Sequence, residues 1–218
     1  MSLAYSIRWS DSEPPKGPAP AALLLHGWGG DETSMAIFET AFGPGWWLIR
    51  PRAPHPLSSG GYAWFSTLAD GKPDPLSISE SLAQLIQLLD ELPQRYPIDP
   101  HRWLPVGFSQ GGAMAALLAL RAPERMAGLA VFSGFLPEFS DSSGFPHLSG
   151  LPVFVAHGLQ DPLVPVKHAH QLCRQLHLLG AETTCVEYAG GHKTGVEAWR
   201  AFKAWLSRMA HSPDEIRG

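Results

Sequence analysis

The chain has 218 residues, enough for one domain whose core can stand without metal or disulfide support. Its formal charge is −4 with no basic stretch, which argues against a nucleic-acid partner. No apolar run approaches the roughly 18 residues of a membrane span, and the first residues lack the charged-then-apolar build of a signal peptide, which favours the cytoplasm.

Taken in chain order, short apolar runs alternate with longer helical patterns. Tyr5–Trp9 alternates in polarity and is predicted as an edge strand. Residues 21–25, 46–49, 103–108, 129–132, 153–156 and 183–188 read as buried strands. Between them, residues 77–92 place Leu82, Leu85, Ile86 and Leu89 on one helical face. Ser77 and Glu80 have the spacing of a capping box at its start. Residues 110–120 are apolar on nearly every side, as in a helix buried all round. Two further helices are predicted over 165–179 and 196–209.

Alternating strands and helices with apolar strands imply a mostly parallel sheet of about seven strands, with helices on both faces, in a single α/β domain. Residues 10–20 form a proline-rich surface loop, and residues 134–150 a second loop over one end of the sheet. Cys173 and Cys185 lack a CxxC spacing and read as two buried free thiols.

The chemistry concentrates around Gly107-Phe108-Ser109-Gln110-Gly111. This is G-x-S-x-G between a predicted strand and a predicted helix, the setting of a nucleophile elbow. A side chain on either glycine would collide with neighbouring backbone, and Ser109 is expected to be strained. A serine hydroxyl needs a base, and the base needs an orienting acid.

In chain order after the serine, Asp161 follows the strand 153–156 in Gly158-Leu159-Gln160-Asp161-Pro162. Aspartate before proline is also common in plain Asx turns. His192, in Gly190-Gly191-His192, follows the last strand and is the candidate base. His168, His170 and His177 have no i, i+4 pairing, so no metal site is expected.

An acyl-transfer site also needs donors for an oxyanion. The backbone N–H of Gln110 is one candidate. The other is the N–H of Trp28, in the glycine-rich Leu25-His26-Gly27-Trp28-Gly29-Gly30-Asp31 after an early strand. Of the eight tryptophans and ten phenylalanines, some are expected to line a pocket. Trp64, Phe65, Phe135, Leu136 and Leu163 fall in loops predicted near this site and are candidates for an apolar substrate groove.

Together these motifs, with Ser133-Gly134-Phe135-Leu136-Pro137, resemble the phospholipase/carboxylesterase family of the α/β-hydrolase fold, over roughly residues 22–206. The family includes bacterial carboxylesterases and acyl-protein thioesterases. The resemblance implies Ser109 as nucleophile, Asp161 as acid, His192 as base, Trp28 and Gln110 as oxyanion donors, and Leu163 in the acyl groove. It further implies a small-molecule ester as substrate, with no cofactor. Leucine is common in the family where Trp28 stands, so a bulky indole there is expected to reshape the acyl groove and to disfavour long protein-bound acyl chains. A monomer or homodimer is expected.

Overall fold

The buried strands are two-sided, and their side chains alternate between two hydrophobic layers. Leu23, Leu25, Leu129, Val131, Val153 and Val155 face one layer. Leu24, Ala130, Phe132, Phe154 and Ala156 face the other. That alternation follows from the two-residue period of a strand and requires helices on both faces. The computed structural model describes residues 3–13, 15–137 and 144–211.

The sheet contains β1 (Tyr5–Trp9), β2 (Ala19–Leu25), β3 (Trp47–Pro51), β6 (Ile98–Phe108), β7 (Leu129–Phe132), β8 (Pro152–Gly158) and β9 (Glu182–Tyr188). Their spatial order is β1-β3-β2-β6-β7-β8-β9, seven strands in all. Only β1 runs antiparallel, against β3; the rest pair in parallel. A short hairpin of β4 (His55–Pro56) and β5 (Tyr62–Ala63) stands apart from this sheet.

On one face lie α2 (Pro75–Glu91), α3 (Gln110–Arg121) and α4 (Lys167–Leu178). On the other lie α1 (Ala36–Glu39) and α5 (Val196–His211), whose Phe38, Phe202 and Trp205 pack on Phe132 and Phe154. The α3 helix packs between the sheet and α2, which explains why it is apolar all round.

Two expectations change. The α2 helix begins earlier than the predicted capping box. Asp74 is its N-cap, accepting from the N–H groups of Leu76 and Ser77, and Pro75 occupies the first turn. Aspartate followed by proline is a stronger start than the Ser77–Glu80 pair. Ser77 instead donates its hydroxyl to the Asp74 carbonyl.

The two cysteines are neither free nor buried. Cys173 of α4 and Cys185 of β9 form a disulfide, and Cys185 is exposed. Within the predicted loop 134–150, residues 138–143 lie outside the described residues.

Candidate active site

Four strands deliver the site at their carboxyl ends. The β6 strand runs directly into α3, and the junction residue Ser109 has φ 54° and ψ −118°. That conformation is unfavourable for any residue with a Cβ. The packing around it leaves no alternative. A Cβ on Gly107 would lie 2.1 Å from the Gly111 carbonyl oxygen, and one on Gly111 would lie 2.2 Å from the Leu25 carbonyl oxygen. The glycines therefore let the turn close on itself and let α3 sit directly against the end of β2. The Ser109 N–H is held by the Phe132 carbonyl at 2.8 Å.

The β8 and β9 strands are parallel neighbours, with His157 opposite Glu187 and Gly158 opposite Tyr188. Past the sheet their loops stay paired. The N–H of Leu159 donates to Tyr188 and that of Gln160 to Gly190, each at 2.9 Å. Tyr188 also donates its hydroxyl to the Lys193 carbonyl, closing the turn that carries His192. This pairing brings Asp161 and His192 together although 31 residues separate them.

His192 Nδ1 lies 2.7 Å from Asp161 Oδ2, and its Nε2 lies 2.9 Å from Ser109 Oγ. A carboxylate only accepts, so Nδ1 carries the proton and Nε2 presents a lone pair to the serine hydroxyl. Phe108 packs against the imidazole, with ring centroids 5.0 Å apart.

The Asp161 side chain is buried. Burial alone would raise its pKa, but the Val164 N–H, His192 and the Leu163 N–H outweigh it and hold the carboxyl below its ordinary value. Both N–H groups reach Oδ1 at 2.9 Å. A second imidazole stands behind the acid: His157 Nε2 donates to the Val164 carbonyl at 2.7 Å and lies 3.4 Å from Asp161 Oδ2.

The glycine-rich loop after β2 runs beside the elbow. A Cβ on Gly27 would lie 3.4 Å from the Ser109 Cβ and 3.1 Å from the Phe108 ring. Trp28 is next in sequence, and its side chain is exposed, at 62%. Gln110 is the first residue of α3, where the helix supplies no backbone acceptor for its N–H.

The candidate groove residues divide. Leu163 is exposed, at 72%, beside the acid. Phe135 and Leu136 are half-buried and pack against the core. Trp64 and Phe65 are not groove residues: Trp64 is 0% exposed and Phe65 is buried beside it. An aromatic pair in a predicted loop has the same sequence signature whether it lines a pocket or plugs the core beneath one. Here the polar partners beneath the loop draw it inward. They are Gln110, Ser81 of α2 and His26. Sequence reasoning did not single out the Gln110 side chain or His26 for such roles.

Arranged this way, the site holds a hydroxyl, a base with its lone pair directed at that hydroxyl, and an ionised acid fixing the base. That set can take a proton from the serine while it attacks an electrophilic carbon.

Residues 12–210 match the Phospholipase/Carboxylesterase family. The chain is 28% identical to MhqD of Bacillus subtilis over 171 residues, covering 78% of this chain and 84% of that one. It is 29% identical to acyl-protein thioesterase 1 of Kluyveromyces lactis over 193 residues, 81% of each chain. Its fold superimposes on the carboxylesterase of Bacillus cereus with a TM-score of 0.84 at 23% identity, over 95% of this chain and 94% of that one. The chain belongs to the phospholipase/carboxylesterase family of hydrolases, on the α/β-hydrolase fold.

Proposed function

We propose that the protein is a serine carboxylesterase, acting on esters of short to medium acyl chains through an acyl-enzyme intermediate on Ser109. The observation that carries this reading is the unbroken relay from Asp161 through His192 to Ser109, at 2.7 and 2.9 Å.

In the first half-reaction Ser109 Oγ attacks the ester carbonyl carbon while His192 Nε2 takes the hydroxyl proton. The carbonyl oxygen becomes an oxyanion, stabilised by the N–H groups of Trp28 and Gln110. Collapse breaks the bond to the alkoxy oxygen, and the alcohol leaves with the proton from His192. In the second half-reaction water attacks the acyl-serine, with His192 again taking and returning a proton. The carboxylic acid leaves and Ser109 is restored. Throughout, Asp161 holds the imidazole in one tautomer and stabilises its cation.

The exposed apolar side chains of Trp28 and Leu163 support an apolar acyl group. A second reading, hydrolysis of acylated proteins or lysophospholipids, is favoured by the similarity to acyl-protein thioesterase 1. Matched p-nitrophenyl esters and thioesters of rising chain length separate the two. A carboxylesterase gives its highest kcat/KM on short to medium esters. A preference for long-chain thioesters would favour the second reading.

A further inference from the structure

A chain of buried hydrogen bonds joins the two sides of the proposed oxyanion pocket, and its links are separate from the backbone N–H groups proposed to meet the reacting oxygen. It starts at the nucleophile elbow. The Gln110 carboxamide accepts from the Trp64 N–H at 2.7 Å and donates to the Phe65 carbonyl at 2.7 Å. One neutral amide thus satisfies a donor and an acceptor of the same backbone stretch, which an ionised carboxylate cannot do.

Trp64 continues the chain. Its indole N–H donates to the His26 carbonyl at 2.8 Å, and its own carbonyl accepts from the Ser81 hydroxyl. Every polar group of this fully buried tryptophan is therefore occupied.

The glycine-rich loop closes the chain. The His26 Nδ1–H donates to the Gly27 carbonyl at 2.7 Å, and Nε2 accepts from the Ala53 N–H at 3.0 Å. The same splint grips the loop further along. The Gly29 N–H donates to the Tyr62 carbonyl, and the Tyr62 N–H to the Gly30 carbonyl, each at 2.9 Å. Residues 62–65 are thus hydrogen-bonded to both Gln110 and the 26–30 loop.

We infer that the Gln110 side chain and Trp64 are positioning residues: they fix the 26–28 loop relative to the start of α3, so that the two oxyanion donors keep one separation and aim. The inference rests on the Ser109 mechanism proposed above. An oxyanion pocket acts only if its donors are in place before charge develops, so a loop free to drift by a fraction of an ångström loses transition-state stabilisation before it loses substrate binding.

Three variants test it. Gln110→Met keeps the volume and the backbone N–H but removes both amide bonds. Gln110→Glu, assayed at a pH where the side chain is ionised, keeps the acceptor for Trp64 and sets an oxygen against the Phe65 carbonyl. Trp64→Phe removes the link to His26. Each is assayed for kcat and KM on a p-nitrophenyl ester, for inhibition by a trifluoromethyl ketone whose adduct places an oxyanion in the pocket, and for thermal melting.

In every variant that melts cooperatively, kcat falls roughly 10- to 100-fold, below the 10²–10³-fold cost of removing a donor outright. The ketone weakens in parallel, KM moves less than about threefold, and the Gln110→Met/Trp64→Phe double variant is no worse than its poorer parent, as for residues acting as a unit. Should Trp64→Phe fail to fold, the two Gln110 variants carry the test. Folded variants with parental kcat, or with kcat lost while the ketone still binds as before, overturn the inference. An active Ser109→Ala protein would instead overturn the mechanism beneath it.

Discussion

Asp161 reaches His192 from a strand neighbour, through one short hydrogen bond of 2.7 Å between Oδ2 and Nδ1. The bond fixes which ring nitrogen faces Ser109. Asp161→Asn would present an amide N–H to Nδ1, favouring the tautomer that points a proton at the serine. We predict a fall in kcat of about 10⁴ with KM little changed. Steady-state kinetics on a chromogenic ester would show it. Activity near that of the parent would mean another acid orients the base.

The elbow stores strain at Ser109, whose φ is 54°. Ser109→Ala and Ser109→Gly both remove the hydroxyl, but only glycine relieves the backbone. Ser109→Gly should be the more stable of the two by about 1 kcal/mol in urea denaturation. Gly107→Ala does the reverse, because its Cβ would meet backbone that cannot yield. A loss of roughly 3 kcal/mol or more is expected there.

The Cys173–Cys185 bond ties α4, which follows the acid loop, to β9, which leads into the base loop. The pair is 12 residues apart in sequence, so reduction should lower stability by about 2–3 kcal/mol. Denaturant melts with and without a reductant measure this. Thiol titration of the unreduced, denatured protein should find no free sulfhydryl; two would contradict the bond.

His26 sets a pH limit. Burial holds its pKa below the ordinary 6.5, and its Nε2 must stay unprotonated to accept from the Ala53 N–H. When the pH drops below about 6.5 the unfolded chain binds a proton here that the folded chain resists, so stability falls with falling pH. The loss starts near 6.5 and continues down to the lower folded value. His168, lowered by burial and by Lys167, adds in the same direction. Urea melts between pH 7.5 and 5 should therefore slope less steeply for His26→Asn, without becoming flat.

The five inner strands and four long helices were legible because their apolar runs and helical faces reflect burial, whereas the buried strand expected at 183–188 is the partly exposed edge strand β9, which pairs only with β8. The meeting of Ser109, Asp161 and His192 at one edge of the sheet was legible because each follows a strand and sits among residues that make tight turns. What could not be read depends on contacts across the fold. Trp64 and Phe65 look like pocket residues until the polar groups beneath them are known. The disulfide joins a helix to a strand with no spacing that marks it. The start of α2 was missed because Asp74-Pro75 precedes the apolar pattern, while Ser77 and Glu80 sit within it. The β4–β5 hairpin is too short to leave a periodic signal.

The most direct measurement is labelling with a fluorophosphonate, followed by mass spectrometry of the intact protein and its peptides. The account predicts one adduct per chain, mapped to Ser109, with ester hydrolysis abolished as the label accumulates. It also predicts no adduct in Ser109→Ala and turnover lower by roughly 10⁴–10⁶. A label on another residue, or a Ser109→Ala protein that turns over esters at the parental rate, would contradict it.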